Sequence, residues 1–312
     1  MNSFDPSGYS RGCKHRTAIE FPFCSLPILF VRGARPGKTL VTTAAVHGDE
    51  YEGTRAIFEV FDALEPATMR GDWIAVPATN VPAFWSATRT SPLDDGNLAR
   101  LFPGKPDGMP TEVIAYHTGI QLIARADFYL DLHSGGIGWA MPSMAGYDAG
   151  DPRSREAALV FGAEVIWGHS TIMEGRTVSF AKSRKIPFLY TEARGSGHPH
   201  PGDVAMMARG IRNLMRHLGI LREAMERVPL RLHLIGDGNI HNGMKAPAKG
   251  FFIPAVELLD RVEEGQHLGR LCDLHGKVTA EFKAPRAGII GLVRQLPVVQ
   301  AGDPLFLITG LL

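Results

Sequence analysis

Along the chain, short runs of apolar and β-branched residues alternate with stretches in which apolar positions recur every three or four residues. The runs 39–46, 73–78, 128–132, 165–167 and 187–191 predict strands. Several are apolar throughout, as strands covered on both faces are. Between them, 54–64, 111–126 and 203–223 are amphipathic and long enough to be helices, each laying an apolar stripe on one sheet face. The alternation predicts an α/β fold with a mixed or mostly parallel sheet. Ligands of such sheets bind in loops beyond the carboxyl ends of the strands, so chemistry is expected just after each run.

From Leu230 onward the pattern changes to short strands punctuated by Gly and Pro: GDGNIHNG, KGFFIP, EEGQHLG, DLHGK, KAPRAGIIG and VQAGDP. That spacing of turn signals predicts an all-β module of about 80 residues. A boundary near Arg227 divides the chain into 1–227 and 228–312, with no internal repeat or low-complexity tract.

Composition narrows the classes of function. Lys and Arg number 33 against 32 Asp and Glu, a formal net charge of +1, so no basic excess is available for a phosphate backbone. Nucleic acid is therefore not an expected partner. The longest stretch free of charged residues is 16 positions, at 73–88 and again at 132–147, too short for a helix across a bilayer. The N-terminus has an early acid and no apolar segment of the secretory kind, so a cytoplasmic protein is expected. Cys13, Cys24 and Cys272 are few, odd in number and without CxxC spacing, which predicts reduced thiols rather than disulfides or a thiolate metal site.

The sharpest chemical signal is Val46-His47-Gly48-Asp49-Glu50, directly after one predicted strand and before a predicted helix. A histidine and a carboxylate three positions apart, across a glycine turn, can face one cleft, and both are ordinary Zn²⁺ ligands. His133, in DLHSGG at the end of the 128–132 run, is the candidate third ligand, with Asp131 placed to hold a ligating imidazole from behind. His198 and His200, in GHPHPGD, form a competing pair and read as part of a Pro-Gly loop. A hydrolytic zinc site also needs a proton acceptor. Glu192, which follows the 187–191 run and precedes the small residues ARGSG, is the candidate general base. Arg89 and Arg100 share one Gly- and Pro-rich loop and suit either a bidentate carboxylate clamp or stabilisation of an oxyanion.

Together VHGDE, DLHSGG, the TR…DGNLARLFPG loop and YTEARGSG resemble the succinylglutamate desuccinylase and aspartoacylase family, deacylases related to the zinc carboxypeptidases. The resemblance runs from about Leu40 to Leu312, because KGFFIP…APRAGIIG…AGDPLF is similar to the barrel-like β-domain of the family's bacterial predicted-deacylase branch. It implies a zinc-carboxypeptidase-like α/β fold, with a mixed sheet flanked by helices and a smaller C-terminal all-β barrel-like domain. It also implies one Zn²⁺ per chain on His47, Glu50 and His133, with Glu192 as base. Arg89 would polarise the scissile carbonyl, Arg100 would hold a substrate carboxylate, and Asn97 would stand beside it in the substrate site. The family's usual DLNR or NLNR reads Asn97-Leu98-Ala99-Arg100 here, so a substrate-binding amide is replaced by the methyl of Ala99.

The expected activity is deacylation of a small N-acyl amino acid or related metabolite. A carboxypeptidase acting on peptides is the alternative within the same chemistry. The β-module also resembles biotinyl and lipoyl carrier domains, which leaves a non-catalytic zinc-binding or carrier protein as the alternative of another class. It has no MKM sequence, and Lys277 and Lys283 sit in unlike contexts, so a module that shapes the cleft or mediates homo-oligomer formation is the expected role.

Overall fold

The computed structural model describes residues 3–236 and 238–312. Its main-sheet strands from the first part of the chain are β1 (Cys13–Glu20), β2 (Ser25–Arg32), β3 (Arg35–Ala44), β4 (Arg70–Val76), β5 (Phe128–Leu132), β6 (Trp139–Ala140), β7 (Met144–Asp148), β8 (Val165–His169) and β9 (Phe188–Glu192). From the last part come β10 (Leu232–Ile235), β11 (Met244–Lys245), β12 (Gly250–Pro254), β13 (Arg261–Val262), β14 (His267–Cys272), β15 (Val278–Lys283), β16 (Gly288–Arg294), β17 (Val298–Val299) and β18 (Pro304–Leu311). The helices are α1 (Glu52–Ala63), α2 (Val81–Ser86), α3 (Pro110–His117), α4 (Pro152–Phe161), α5 (Thr177–Ser183) and α6 (Pro201–His217).

The strands form one large mixed sheet in the order β1-β2-β4-β3-β5-β9-β7-β8-β10-β18-β16-β13, and β15-β14-β12-β17 form a separate antiparallel sheet. This is the zinc-carboxypeptidase-like α/β architecture with an all-β C-terminal portion. Its centre is parallel: β4, β3, β5 and β9 run the same way, so β3, β5 and β9 end side by side on one edge. The C-terminal strands are stitched to that sheet, since β10 pairs parallel with β8 and antiparallel with β18.

Alternation along the central strands sorts the side chains to two cores. Leu40, Leu130, Leu132 and Leu189 face α1 and α6, with Phe61, Ile211 and Leu214 buried against them. Val41, Tyr129 and Phe188 face the other way, onto Ile114, Val178 and Phe180. A third small cluster, including Met144, Trp167, Leu292 and Leu307, joins the main sheet to the C-terminal strands. Each fully buried Leu, Ile or Phe contributes about 1.5–3 kcal/mol, so the central strands are held rigidly from both faces.

Several predicted boundaries move for physical reasons. The predicted 111–126 helix is α only to His117; a π turn over Thr118–Leu122 and a 3-10 turn over Ile123–Arg125 follow. The predicted 203–223 helix ends at His217, because Gly219 takes a left-handed φ of 74° and the Ile220 amide turns back to the Met215 carbonyl. The β1–β2 hairpin, β7, α4 and α5 were not among the predicted elements. Cys13, Cys24 and Cys272 are free thiols. Among the described residues no helix is long and apolar enough to cross a membrane.

Candidate metal centre and cleft

The centre is built where β3, β5 and β9 end. After β3 the chain leaves the sheet sharply: Ala45 is left-handed, with φ of 48°, and Thr79 and Asn80 donate their amides to the Ala44 and Ala45 carbonyls. His47 follows this kink. Gly48 then passes so close beneath α2 that a β-carbon there would lie 2.0 Å from the Ala83 carbonyl carbon, which only glycine avoids. The Glu50 amide donates to the His47 carbonyl, and the turn brings Glu50 back beside His47 before α1 begins. After β5, Gly136 (φ 55°) leaves no room for a side chain against the Asp49 carboxylate, which accepts from the Ile137 amide at 3.0 Å. The loops after β3 and β5 are thereby tied together.

His47, Glu50 and His133 converge, one nitrogen or oxygen of each lying within 4.8 Å of the others. His47 Nδ1 is 2.7 Å from Glu50 Oε1, and His133 Nδ1 is 2.9 Å from Glu50 Oε2. His47 and Glu50 are only 4% and 3% exposed, so this is an interior cluster rather than a surface group of acids and imidazoles. Asp131 meets His133 Nε2 at 3.0 Å. A buried carboxylate there accepts the Nε2 proton and fixes the ring so that Nδ1 is the nitrogen turned to Glu50. Asp131 is itself held by the hydroxyls of Thr43 and Thr177.

The charges follow from this packing. Burial pushes His47 down to about 4, helped by the Arg89 charge, against the pull of Glu50. Burial would raise Glu50, but His47 and His133 against its two oxygens hold it well below the usual carboxylate range. His133 goes the opposite way from His47: burial opposes its charge, yet Asp131 and Glu50 together raise it well above the ordinary imidazole value. Glu192 is pushed up to about 8, first by burial and then by the Glu50 charge. One of its oxygens, Oε2, is buried with no hydrogen-bond partner. An unpartnered buried carboxylate oxygen is costly and is a mark of a group kept for chemistry.

A cleft of about 70 Å³ opens over the cluster, lined by His47, Glu50, His133 and Glu192 and by three guanidinium groups, Arg89, Arg100 and Arg176. Arg89 Nη1 donates to Glu50 Oε1 at 3.4 Å. Arg100 donates to the Ala99 carbonyl at 2.8 Å, and burial together with Arg176 and Arg89 lowers it to about 10. Ala99 lines the cleft as well. Asn97 does not: its side-chain oxygen accepts from the Ala99 amide at 3.1 Å and caps the 3-10 turn Leu98–Arg100, in place of the substrate contact expected for it. His198 and His200 lie ring to ring, 5.4 Å apart, and Ser196 contacts His200, outside the cluster. The sequence reading missed Arg176, Trp139 and Tyr190 on the cleft wall, and also Gly238, Ile240 and Leu292 from the C-terminal strands and their loops.

Residues 36–218 match the succinylglutamate desuccinylase/aspartoacylase catalytic domain. The chain belongs to the succinylglutamate desuccinylase/aspartoacylase family. Members of this family are deacylating hydrolases acting on amide bonds. A relative from Halomonas elongata, N-alpha-acetyl-L-2,4-diaminobutyric acid deacetylase, is 32% identical over 294 residues, covering 91% of this chain and 85% of its own. A succinylglutamate desuccinylase from Silicibacter sp. TM1040 superposes with a TM-score of 0.87 at 28% identity, covering 95% of this chain and 93% of that one. The product-bound ectoine utilization protein EutE (DoeB) of Ruegeria pomeroyi is as similar, with a TM-score of 0.87, 28% identity and the same coverage.

Proposed function

We propose that this family member is a cytoplasmic zinc-dependent amidohydrolase that removes a small acyl group from an N-acyl amino acid. The observation that carries the reading is the meeting of His47, Glu50, His133 and Glu192 in one cleft, at the ends of three adjacent strands. The donor set fits a zinc ion: two imidazole nitrogens and a carboxylate, buried, with His133 oriented by Asp131. His47, Glu50 and His133 would hold one ion per chain. A zinc ion held there supplies a Lewis acid for the acyl carbonyl and makes water a stronger nucleophile at neutral pH.

The chain's own residues do the rest. Glu192 takes the proton from the attacking water and delivers it to the departing amine, a role suited to a carboxylate whose affinity for protons is raised by burial. Arg89 donates to the acyl oxygen as negative charge develops on it. Arg100 and Arg176, on the same cleft, hold the substrate carboxylate. Residues 1–227 carry this machinery, and 228–312 form the β-domain that walls the cleft through Gly238, Ile240 and Leu292. That wall supports a shaping role for the β-domain over that of a carrier.

Ala99 and the Halomonas relative point to the same substrate class. A methyl at position 99 removes one hydrogen bond to a carboxylate, worth about 1.5–3 kcal/mol. We therefore assign an acetylated diamino acid of the N-alpha-acetyl-2,4-diaminobutyrate type as the substrate, ahead of N-acetylaspartate or succinylglutamate. Among the described residues the cleft's only carboxylates are Glu50, Asp131 and Glu192, so no separate acid faces a second amine there. The test is a side-by-side assay of the zinc-loaded protein on the three substrates and a dipeptide. Highest kcat/KM on N-acetylaspartate, succinylglutamate or the dipeptide overturns the assignment.

A further inference from the structure

We propose that Trp139 is a positioning residue for Arg89, and that the C-terminal strands reach the chemistry through it. The inference rests on the role given to Arg89 above.

Arg89 rises from an exposed stretch of chain, Trp85 to Thr88. Among the described residues its guanidinium has two partners: Glu50 Oε1 at 3.4 Å and the indole of Trp139, with Cζ 5.0 Å from the ring centroid. The first is long for a hydrogen bond, and Glu50 is also the carboxylate a bound cation would claim. A carboxylate committed to a metal has less charge to offer a neighbouring guanidinium. The indole is then the anchor that persists, and cation–π attraction strengthens in a cleft sheltered from water.

What holds the indole comes from the far end of the chain. Strand β6 is two residues long and pairs antiparallel with β16, setting Trp139 opposite Arg294 and Ala140 opposite Val293. Trp139 Nε1 donates to the Pro304 carbonyl at 3.3 Å. The Arg294 guanidinium also lies over the ring, 5.4 Å from its centroid, and is fixed in turn by Asp303 at 3.1 Å and by donation to the Leu296 carbonyl. Asp303 accepts from the Gln300 amide at 2.9 Å. A chain of contacts thus runs from the turn before β18, through Arg294 and the indole, to Arg89 beside Glu50. It gives the β-domain a stake in catalysis that no wall residue provides.

The experiment is a double-mutant cycle on the zinc-loaded full-length protein, with zinc content and melting temperature measured for every variant. Trp139→Leu keeps apolar bulk but loses the π face, so kcat should fall roughly five- to thirtyfold, with KM changed by less than about twofold and zinc retained. Trp139→Phe keeps a π face and should stay within about threefold of the parent. In the Arg89→Ala background the leucine substitution should add less than about twofold, because the guanidinium it positions is gone. Asp303→Asn, remote from the cleft, covers the case of a leucine variant that does not fold. It should lower kcat by roughly twofold or more in the parent and leave Arg89→Ala unchanged. Equal losses in both backgrounds, or an unchanged kcat in folded, loaded Trp139→Leu, overturn the inference while leaving Arg89's role intact. Full kcat in Arg89→Ala alone refutes the role of Arg89, and the inference falls with it.

Discussion

Glu192→Gln separates what this carboxylate does for catalysis from what it does to stability. In the metal-free protein burial, reinforced by Glu50, pushes Glu192 up to about 8, against 4.5 for an ordinary glutamate. A group whose folded value is raised contributes stability that is fully present below 4.5 and is lost as pH rises through 8. Such a difference corresponds to about 5 kcal/mol at most. That value already carries the opposing pull of Arg89 and Arg176, and water reaching the side of Glu192 that faces the cleft reduces the effect to roughly 2 kcal/mol. Glutamine has the same shape and no charge to bury. In EDTA, the parent and Glu192→Gln should therefore melt together near pH 5 and diverge toward pH 8.5. There the variant should be more stable, by roughly 3 °C for a chain of this size. After zinc is restored the order of merit reverses: metal content should match the parent, while kcat falls by about 10²-fold or more. Coincident melting curves at pH 8.5 would show that no charge is being forced into an apolar site. Loss of zinc from the variant would make Glu192 a ligand and overturn the three-ligand centre.

Three further outcomes are expected. Purified protein should carry one zinc per chain, and His47→Ala or His133→Ala should lose most of it; elemental analysis showing parent-like zinc in either variant removes that residue from the centre. Asp131→Asn should weaken zinc binding by roughly 10–100-fold without abolishing it, because the amide no longer fixes the His133 ring; competition against a chelator measures the change, and an unchanged affinity would mean that Thr43 and Thr177 hold Asp131 for the fold alone. Arg100→Ala should raise KM for every carboxylate-bearing substrate by roughly tenfold or more, the worth of a charged hydrogen bond; a KM unmoved across the panel would place the carboxylate elsewhere, with Arg176 the first alternative.

The parts of this protein that could be read from its sequence are those where one local signal sufficed. The buried half of β3 (40–44), β5 and β9 are rich in apolar and β-branched residues because both their faces are covered, and their ends carry the histidines and glutamates of the cleft. In the β1–β2 hairpin, β2 (SLPILFVR) is an apolar, buried run as legible as the central strands, and only β1 is hidden for the converse reason. Cys13–Glu20 reads CKHRTAIE, a polar edge strand with little buried surface, and no periodicity marks it. Strand β7 contains Gly146, whose missing side chain makes room for the Tyr190 ring, so its sequence MAGYD lacks the bulk of a strand. Helix α4 was legible and overlooked: Asp151 caps it, Pro152 opens it, and Gly162 closes it at φ of 92°.

The site divides in the same way. His47, Glu50, His133 and Glu192 each sit at a strand end or within a turn of one, where composition and position coincide. Asn97 lies off the cleft lining, since an Asn two residues before a free amide accepts from that amide itself. Arg176 lies in the loop before α5 with nothing in its neighbours to mark it, and Trp139 gains meaning only from the pairing of β6 with β16, more than 150 residues later. Trp139 is brought to the cleft by contacts between segments distant in the chain, which no local pattern encodes, whereas the hydrogen bonds of Arg176 are local, to Met173 and Ser179. The candidate ligands and base of this chain therefore stand at the strand ends, whereas the proposed aim of Arg89 rests on how β16 and the turn before β18 pack, and substitutions there should tune kcat without touching the metal.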